Sequence, residues 1–179
     1  MLKFPLIKNN YTPDHIANYF LLKAWNEGSE ITPMKLIKLV YIAYGWNLAI
    51  NEERLFEEKI EAWRYGPVIP SIYREYKRFG SNQIPKNHFS AEIDLGTGEV
   101  LSVPVVNNDD INTKQLLDAV WQCYQNKTGV NLSNITHEIG SAWDIAWREK
   151  PNTTLDNDII KRRSQKAVEK YMKQMSKEY

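Results

Sequence analysis

The segment PMKLIKLVYIAYGWNLAI, residues 33–50, most constrains how this chain of 179 residues can fold. Thr32 followed by Pro33 predicts a helix start, because Thr caps free N–H groups and Pro at the first helical position gives up no hydrogen bond. Apolar residues occupy almost every face of this helix, and Lys35 and Lys38 are its only charges. A helix that is apolar on nearly all sides must be surrounded by other elements. We therefore expect it at the centre of a single domain, residues 1–179, which is long enough to bury a core.

Further helices are predicted around this central one. Thr12 and Pro13 repeat the same start signal, and Gly28 ends the pattern that follows. Elsewhere, apolar residues recur at the spacing of a helix that packs one face on a core. The predicted segments are 13–26, 70–79, 112–129, a short turn within 132–140, 141–150 and a strongly charged last helix over 156–179.

Two other stretches predict β structure. Residues 55–63 alternate between two faces, as a short extended segment does. Residues 91–106 predict a hairpin that turns around Gly96 and Gly98, and Pro104 restricts its second strand to a sheet edge. Because a two-stranded ribbon is not stable alone, we expect it to lie on the helices. The predicted fold is mainly α: a single compact helical domain with a central buried helix and a small β-hairpin appendage.

The charge balance argues against a nucleic-acid partner. The 23 Lys and Arg residues are offset by 22 Asp and Glu residues, for a formal net charge of +1. Binding to a phosphate backbone needs a positive surplus or a basic stripe. The last helix carries many basic residues, but acidic residues interrupt them, and Tyr171 and Tyr179 are too few to form an interleaved aromatic series. We interpret it as a solvated surface helix.

The sequence also predicts a cytoplasmic protein. Cys123 is the single cysteine, so no internal disulfide can form and a reducing compartment is the default. The N-terminal stretch MLKFPLIKNN lacks the continuous apolar run and cleavage site of a signal peptide. No run of about 18 apolar residues could span a bilayer. We therefore expect no membrane partner.

Residue spacing predicts no catalytic set, cofactor or metal. Cys123 lies near Trp121 on an apolar helix stripe, without a His-containing motif, as is typical of an inert buried thiol. The three histidines are scattered, and the adjacent His137 and Glu138 do not share a helix face. The turn at residues 96–98 lacks the following helix of a phosphate-binding loop.

Residues 61–80, EAWRYGPVIPSIYREYKRFG, predict a shaped corner before a helix. Gly66 tolerates unusual dihedral angles, and the prolines that follow it fix φ. Trp63 and Tyr65 add rigid aromatic area, which interfaces use at low entropic cost. The stretch is consistent with a structural turn and with a preformed recognition surface, and these two interpretations are compatible.

Three blocks of this sequence resemble the signature of a known family. PMKLIKLVYIAYGW, LFEEKIEAWRYGPVIPSIY and LSNITHEIGSAW occur in the order found in the Panacea domain, the SocA-like antitoxin domain also met in phage-associated GepA-like proteins. The blocks lie within residues 13–150. The middle block, AW-x-YGPV-x-P-x-x-Y, is the most specific of the three. The resemblance implies a mainly helical domain from bacteria or their prophages.

The resemblance marks a set of candidate partner-binding or motif residues and implies no catalytic role for them. They are Lys38, Tyr41, Trp63, Tyr65, Gly66, Pro67, Val68, Pro70, Tyr73, His137 and Trp143, and the blocks also cover Leu36, Leu39, Ala62 and Thr136. The chain departs from the family pattern in two places. Ile37 stands where a Gln is frequent, and residues 140–142 precede Trp143 where a Pro is usual.

The resemblance implies an antitoxin that neutralises a cognate toxin, encoded by the adjacent gene, through direct protein contact. In one branch of the family the domain instead presents the toxin to a cytosolic protease, and this adaptor role is the first alternative. A second alternative, from the residues alone, is a small-molecule- or nucleotide-binding enzyme that uses Lys38, Tyr65 and His137. That function requires the three side chains to converge in a pocket. We expect a binding protein rather than an enzyme.

Overall fold

A computed structural model describes residues 10–177. Its helices are α1 Pro13–Asn26, α2 Pro33–Asn51, α3 Pro70–Tyr76, α4 Ile111–Tyr124, α5 Gly129–Thr136, α6 Ala142–Glu149 and α7 Asn157–Met175. Its strands are β1 Glu61–Trp63, β2 Gly66–Val68, β3 Glu92–Ile93 and β4 Val100–Ser102, in two antiparallel pairs. The predicted mainly helical fold is confirmed. The predicted features at residues 1–9 and the last two residues of the predicted C-terminal helix lie outside the described part.

Helix α2 lies at the centre of the fold, as the sequence predicts. Its side chains are buried on nearly every face between Leu36 and Leu48, where α1, α4, α5 and α7 pack against it. Lys35 is buried as well, and its Nζ donates to the carbonyl of Gln125 over 2.6 Å. Across residues 10–177, neither α2 nor any other helix combines the length and the apolar character that a membrane crossing needs.

Helix α7 docks along α2 through a close approach at Gly45. A Cβ on Gly45 would stand 3.2 Å from Cγ2 of Ile160 and would collide with Oγ of Ser164. Further along, the rings of Trp46 and Tyr171 lie 5.4 Å apart. The missing side chain at Gly45 therefore sets how near α7 can come. Most of the charged last helix belongs to the domain and does not project from it.

Strands β1 and β2 form a tight hairpin that the chain revisits after α6. Glu61 pairs with Val68, and Trp63 pairs with Gly66. Residues 152–155 run beside β1, where the N–H of Ala62 donates to the carbonyl of Thr153 over 2.8 Å. The predicted extended segment 55–63 is a strand only in its last part, because β2 and residues 152–155 supply backbone partners there.

Helix α3 ends earlier than predicted. A single 3-10 turn, Lys77–Phe79, replaces the last part of the expected helix. The helical spacing of Ile72, Tyr73 and Tyr76 predicts that all three share the face that packs on the core. Ile72 and Tyr76 are buried there, but Tyr73 is 37% exposed. Its ring instead contacts the ring of Trp63 edge-on, with 4.9 Å between centroids. The hairpin therefore supplies a partner for Tyr73 that the helix pattern alone does not reveal.

The second pair of strands, β3 and β4, forms the predicted hairpin. All of their residues are exposed, so the expectation that this ribbon lies on the helices is wrong. The ribbon is attached at its base. The buried Asn18 of α1 donates to the carbonyls of Ser90 and Pro104, each over 2.9 Å, and so bonds both ends of the ribbon to one helix.

The approach at Gly45 generates a prediction for the α2–α7 interface. Gly45→Ala should destabilise the fold by about 1 kcal/mol or more, because the overpacking penalty exceeds the gain in helix propensity. Urea unfolding followed by far-UV circular dichroism measures this change. Since Ser164 Oγ is the nearest obstacle, Ser164→Ala in the same chain should recover most of the loss. An equal loss in the double variant would contradict this account.

Candidate functional site

The corner between β1 and β2 is a two-residue turn made by Arg64 and Tyr65. Gly66, which follows, adopts a φ of +105°, in the left-handed region that strains residues with side chains. Pro67 continues into β2, and Pro70 opens α3 at a position that tolerates the missing N–H. The backbone conformation at position 66 therefore favours glycine, and Pro67 and Pro70 occupy positions that tolerate proline.

Lys38 fastens this corner to the central helix. Its Nζ donates to the carbonyl of Tyr65 over 2.8 Å and to the carbonyl of Pro67 over 2.9 Å. These two carbonyls flank Gly66, so one amine secures both sides of the turn. The Lys38 side chain is 2% exposed.

Burial lowers the pKa of Lys38 from 10.5 to about 7, because removal from water disfavours the charged ammonium. A neutral amine still carries two N–H donors, which match the two carbonyls that it reaches. The attachment to the turn is therefore retained when Lys38 loses its charge.

His137 closes the other side of Gly66. Ser133 Oγ donates its one proton to the carbonyl of Tyr65 over 3.1 Å, so it accepts the N–H of His137 Nδ1, 3.3 Å away. His137 Nε2 is then an acceptor, buried and without a hydrogen-bond partner among the described residues. Burial and the nearby Lys38 lower the pKa of His137. The imidazole is therefore neutral at physiological pH.

Aromatic side chains continue the site toward the surface. Trp143 Nε1 donates to the carbonyl of Trp63 over 2.7 Å. The Trp143 ring meets His137 edge-on, with 3.9 Å between centroids, and stacks on Trp147 at 5.6 Å. Tyr65 projects from the turn with 63% of its surface exposed. We call this surface the aromatic corner, which consists of Trp63, Tyr65, Tyr73, Trp143 and Trp147.

The structure places most of the predicted site residues in two adjoining layers. The inner layer, which we call the brace, holds the turn from within: Lys38, Gly66, Pro67, Val68 and His137. The predicted residues of the outer layer are Trp63, Tyr65, Tyr73 and Trp143. Pro70 opens α3, directly after the hairpin. Tyr41 does not join either layer, because it packs against the core within electrostatic range of Arg163 in α7.

Sequence reasoning missed Ser133 and Trp147. Ser133 precedes His137 by one helical turn, and Trp147 follows Trp143 by the same step. Residues four apart share a helix face, so this spacing was the signal that could have found both. A third omission is Glu61, whose carboxylate accepts the indole N–H of Trp63 over 2.7 Å.

The two departures from the family pattern lie at positions whose surroundings suit the residues present. Ile37 is buried in the core, where an apolar side chain is suited. Gly140 adopts a φ of +75°, and its N–H donates to Asp144 over 2.8 Å. Ser141 caps α6, and Ala142 occupies the first helical position, which is the position that accepts Pro most readily.

Lys38, Tyr65 and His137 converge only in part. Tyr65 contributes its backbone carbonyl, while its phenol ring is directed to solvent. A Cβ on Gly66 would stand 3.2 Å from His137 Nε2 and would collide with Lys38 Nζ. Gly66 therefore packs directly against Lys38 and His137. Within residues 10–177, no cluster of three or more His, Cys, Asp or Glu side chains is placed to hold a metal ion.

Comparisons with known proteins point to one family. The family model described as "Antitoxin SocA-like, Panacea domain" matches residues 36–144, which include the whole brace. Antitoxin SocA of Caulobacter vibrioides (strain NA1000 / CB15N) is 28% identical over 130 residues, which cover 73% of this chain and 67% of that protein. No solved structure matches this chain significantly.

Lys38 generates a prediction about pH. Its pKa of about 7 in the folded chain lies below the ordinary 10.5, so between these values the unfolded chain binds the proton more strongly. The free energy of unfolding should therefore rise with pH in this window, by about 1.4 kcal/mol per pH unit for one proton. Urea unfolding between about pH 7.5 and 9.5 measures the slope, which Lys38→Met should lose.

Lys35→Met is the matched control for this measurement. Lys35 is also buried and also has a lowered pKa, but it bonds outside the corner. The Lys38 contribution to the slope should persist in that variant. A Lys38→Met protein that keeps the wild-type slope would show that Lys38 titrates normally in the fold.

Gly66 generates a second prediction. Gly66→Ala should destabilise the fold by roughly 2 kcal/mol or more, because the new Cβ meets Lys38 and His137 and the φ is strained. Gly28→Ala is the control, since Gly28 has a φ of +67° but no atom within 4 Å of the position that a Cβ would take. It should lose only about 1 kcal/mol. Equal losses in thermal unfolding would assign the whole effect to the backbone dihedral angle and none to the brace.

Proposed function

Because this chain belongs to the SocA-like antitoxin family with a Panacea domain, we propose that it is an antitoxin that neutralises a cognate toxin by direct binding. We propose further that it carries out no reaction of its own, that the toxin is encoded by the adjacent gene, and that the two meet in the cytoplasm. The observation that carries the proposal is the aromatic corner, a rigid apolar surface supported by internally bonded polar groups.

The inner layer of the site supports a binding role. Lys38 gives its N–H groups to two backbone carbonyls, and Ser133 gives its hydroxyl proton to one of the same carbonyls. A general acid or base must come within hydrogen-bond reach of its substrate. Lys38 is 2% exposed and its donors are engaged, so its position suits a brace that stiffens the turn.

The outer layer supports the same role. Aromatic side chains lose little conformational entropy on binding and dominate the energetics of many interfaces. Tyr65 and Tyr73 are exposed, and Trp63, Trp143 and Trp147 are half-buried beside them. Since the brace fixes the turn before any partner arrives, the cost of ordering this surface is met on folding and not on binding.

Co-expression tests the proposed function. The adjacent reading frame, induced alone, should arrest growth, and this chain should relieve the arrest and copurify with the toxin. Toxin levels should stay constant during rescue if neutralisation occurs by masking. Rescue that disappears in a protease-deficient host, together with toxin loss in the wild-type host, would assign the chain to the adaptor role. A chain that neither binds nor rescues would overturn the proposal.

Tyr65 provides the sharpest variant for this test. Tyr65→Ala should weaken toxin binding about tenfold or more, because an exposed aromatic at the centre of an interface is a frequent hot spot. The fold should be unaffected, since the ring contacts the guanidinium of Arg64 and the brace uses only the Tyr65 carbonyl. Biolayer interferometry with purified toxin measures the affinity.

Two further variants complete this prediction. Met172→Ala, at a residue of α7 that is 62% exposed, should bind like the wild type. Trp63→Ala should lower soluble yield as well as binding, because its ring packs against the core. Wild-type affinity in Tyr65→Ala would exclude the aromatic corner from the interface, even if the chain still rescues growth.

A further inference from the structure

The β3–β4 ribbon, residues 92–105, exposes apolar side chains that a folded chain normally covers. The most exposed are Leu95 at 101%, Leu101 at 65%, Val100 at 61%, Val105 at 54% and Ile93 at 52%. A two-stranded ribbon is not stable without cover, and a contiguous apolar patch marks an interaction site. Since β3 and β4 pair only with each other among the described residues, their outer edges are also open to strand addition.

The ribbon is held at its base. Asn18 is fully buried, donates to the carbonyls of Ser90 and Pro104, and accepts the N–H of Ser90 over 3.0 Å. The hydroxyl of Ser90 donates to Asp14 over 2.6 Å. Helix α1 therefore fixes both legs of the ribbon, and the ribbon extends from an ordered support.

The ribbon is acidic as well as apolar. No Lys or Arg occurs between Lys86 and Lys114, whereas Glu92, Asp94 and Glu99 lie on the ribbon itself. Within residues 10–177, the ion pairs lie elsewhere, and none includes these three carboxylates. The chain as a whole carries +1, so the negative charge is a local property of this segment.

We propose that the ribbon is a docking arm for a positively charged segment of the toxin. This inference rests on the proposed function and adds the chemistry of the partner. The carboxylates attract a basic segment and speed its encounter, and the apolar side chains then bury against it. An extended segment would add as a strand to a free edge of the ribbon, with specificity from side chains that alternate along it.

Two other occupants fit the ribbon less well. Nucleic acid is repelled, because its phosphates carry the same charge as the ribbon. A second copy of this chain could offer the basic helix α7, but the apolar side of that helix packs on α2, so its exposed face would leave the apolar side chains of the ribbon without an apolar partner. A basic partner protein with an apolar segment complements both the negative charge and the apolar side chains of the ribbon.

Variants of the ribbon in the 179-residue chain, measured against the purified toxin from the adjacent reading frame, test this inference. Leu95→Ser and Leu101→Ser should each weaken binding about tenfold, and Glu99→Lys should slow association about tenfold at low salt. The Glu99→Lys complex should also lose part of the salt dependence seen with the wild type. Amides of residues 100–103 should exchange hydrogen more slowly when the toxin is bound.

Matched controls separate the ribbon from general effects. Met172→Ser carries an equivalent apolar-to-polar change on α7, and Glu149→Lys reverses an exposed charge at the end of α6. Both should bind the toxin like the wild type. Losses in these controls as large as in the ribbon variants would overturn the inference, because binding would then follow net charge or surface polarity.

The remaining outcomes distinguish this inference from the proposed function. Toxin binding and rescue by the wild type, with unchanged affinity in all ribbon variants, would overturn the docking arm and leave the antitoxin role in place. A wild-type chain that does not bind the toxin overturns both. Light scattering of the isolated chain tests whether it self-associates. Self-association that is abolished by Leu95→Ser would show that the ribbon binds a second copy, and it would overturn the inference.

Discussion

The amine of Lys38 is the interaction on which the corner depends. It lies between the backbone carbonyls of Tyr65 and Pro67 and donates to both. Burying a cation is expensive, and a buried carbonyl without a donor is expensive too. The fold meets both costs with one side chain, because a lowered pKa allows a neutral amine that still donates twice. Helix α2 therefore forms the centre of the core and also positions the site. Gly66 allows the turn to pack against the Lys38 amine, while the Tyr65 side chain remains exposed to solvent. The proposed recognition surface is thus held by hydrogen bonds from a side chain of the central helix, which order it on folding.

Much of this fold could be predicted from the sequence, for identifiable reasons. The Thr-Pro pairs predict the starts of α1 and α2, because capping and proline geometry are local. The apolar surface of α2 predicts its central position in the fold. The corner was predictable as a turn because Gly66 and Pro67 constrain the backbone directly. The partners of Lys38 were not, because a backbone carbonyl has no signature in the sequence and Tyr65 lies 27 positions away along the chain.

The packing of the ribbon could not be predicted from the sequence. Its β-branched residues and its turn predict a hairpin correctly, but the same pattern cannot state which surface covers it, and the helices do not. Tyr73 shows the same limitation, because its spacing predicts a place on the core face of α3, whereas its ring contacts Trp63. In both cases the local sequence pattern predicts the type of secondary structure correctly, but it does not indicate which residues pack against that element. Burial is decided by tertiary context, whereas strand and helix periods are decided locally.

Net charge is misleading for this chain because it averages over segments of opposite sign. The ribbon and the residues after it contain only acidic charges up to Lys114, whereas α7 is rich in Lys and Arg. At physiological salt a charge acts over about 8 Å, so a partner responds to the segment it approaches and not to the sum. In the complex that we propose, electrostatics would select the approach to the ribbon, and shape would select the fit at the aromatic corner. A domain that divides recognition in this way can change the surface charge of one segment without disturbing the brace, because the carboxylates of the ribbon take no part in the bonds of Lys38, Ser133 and His137.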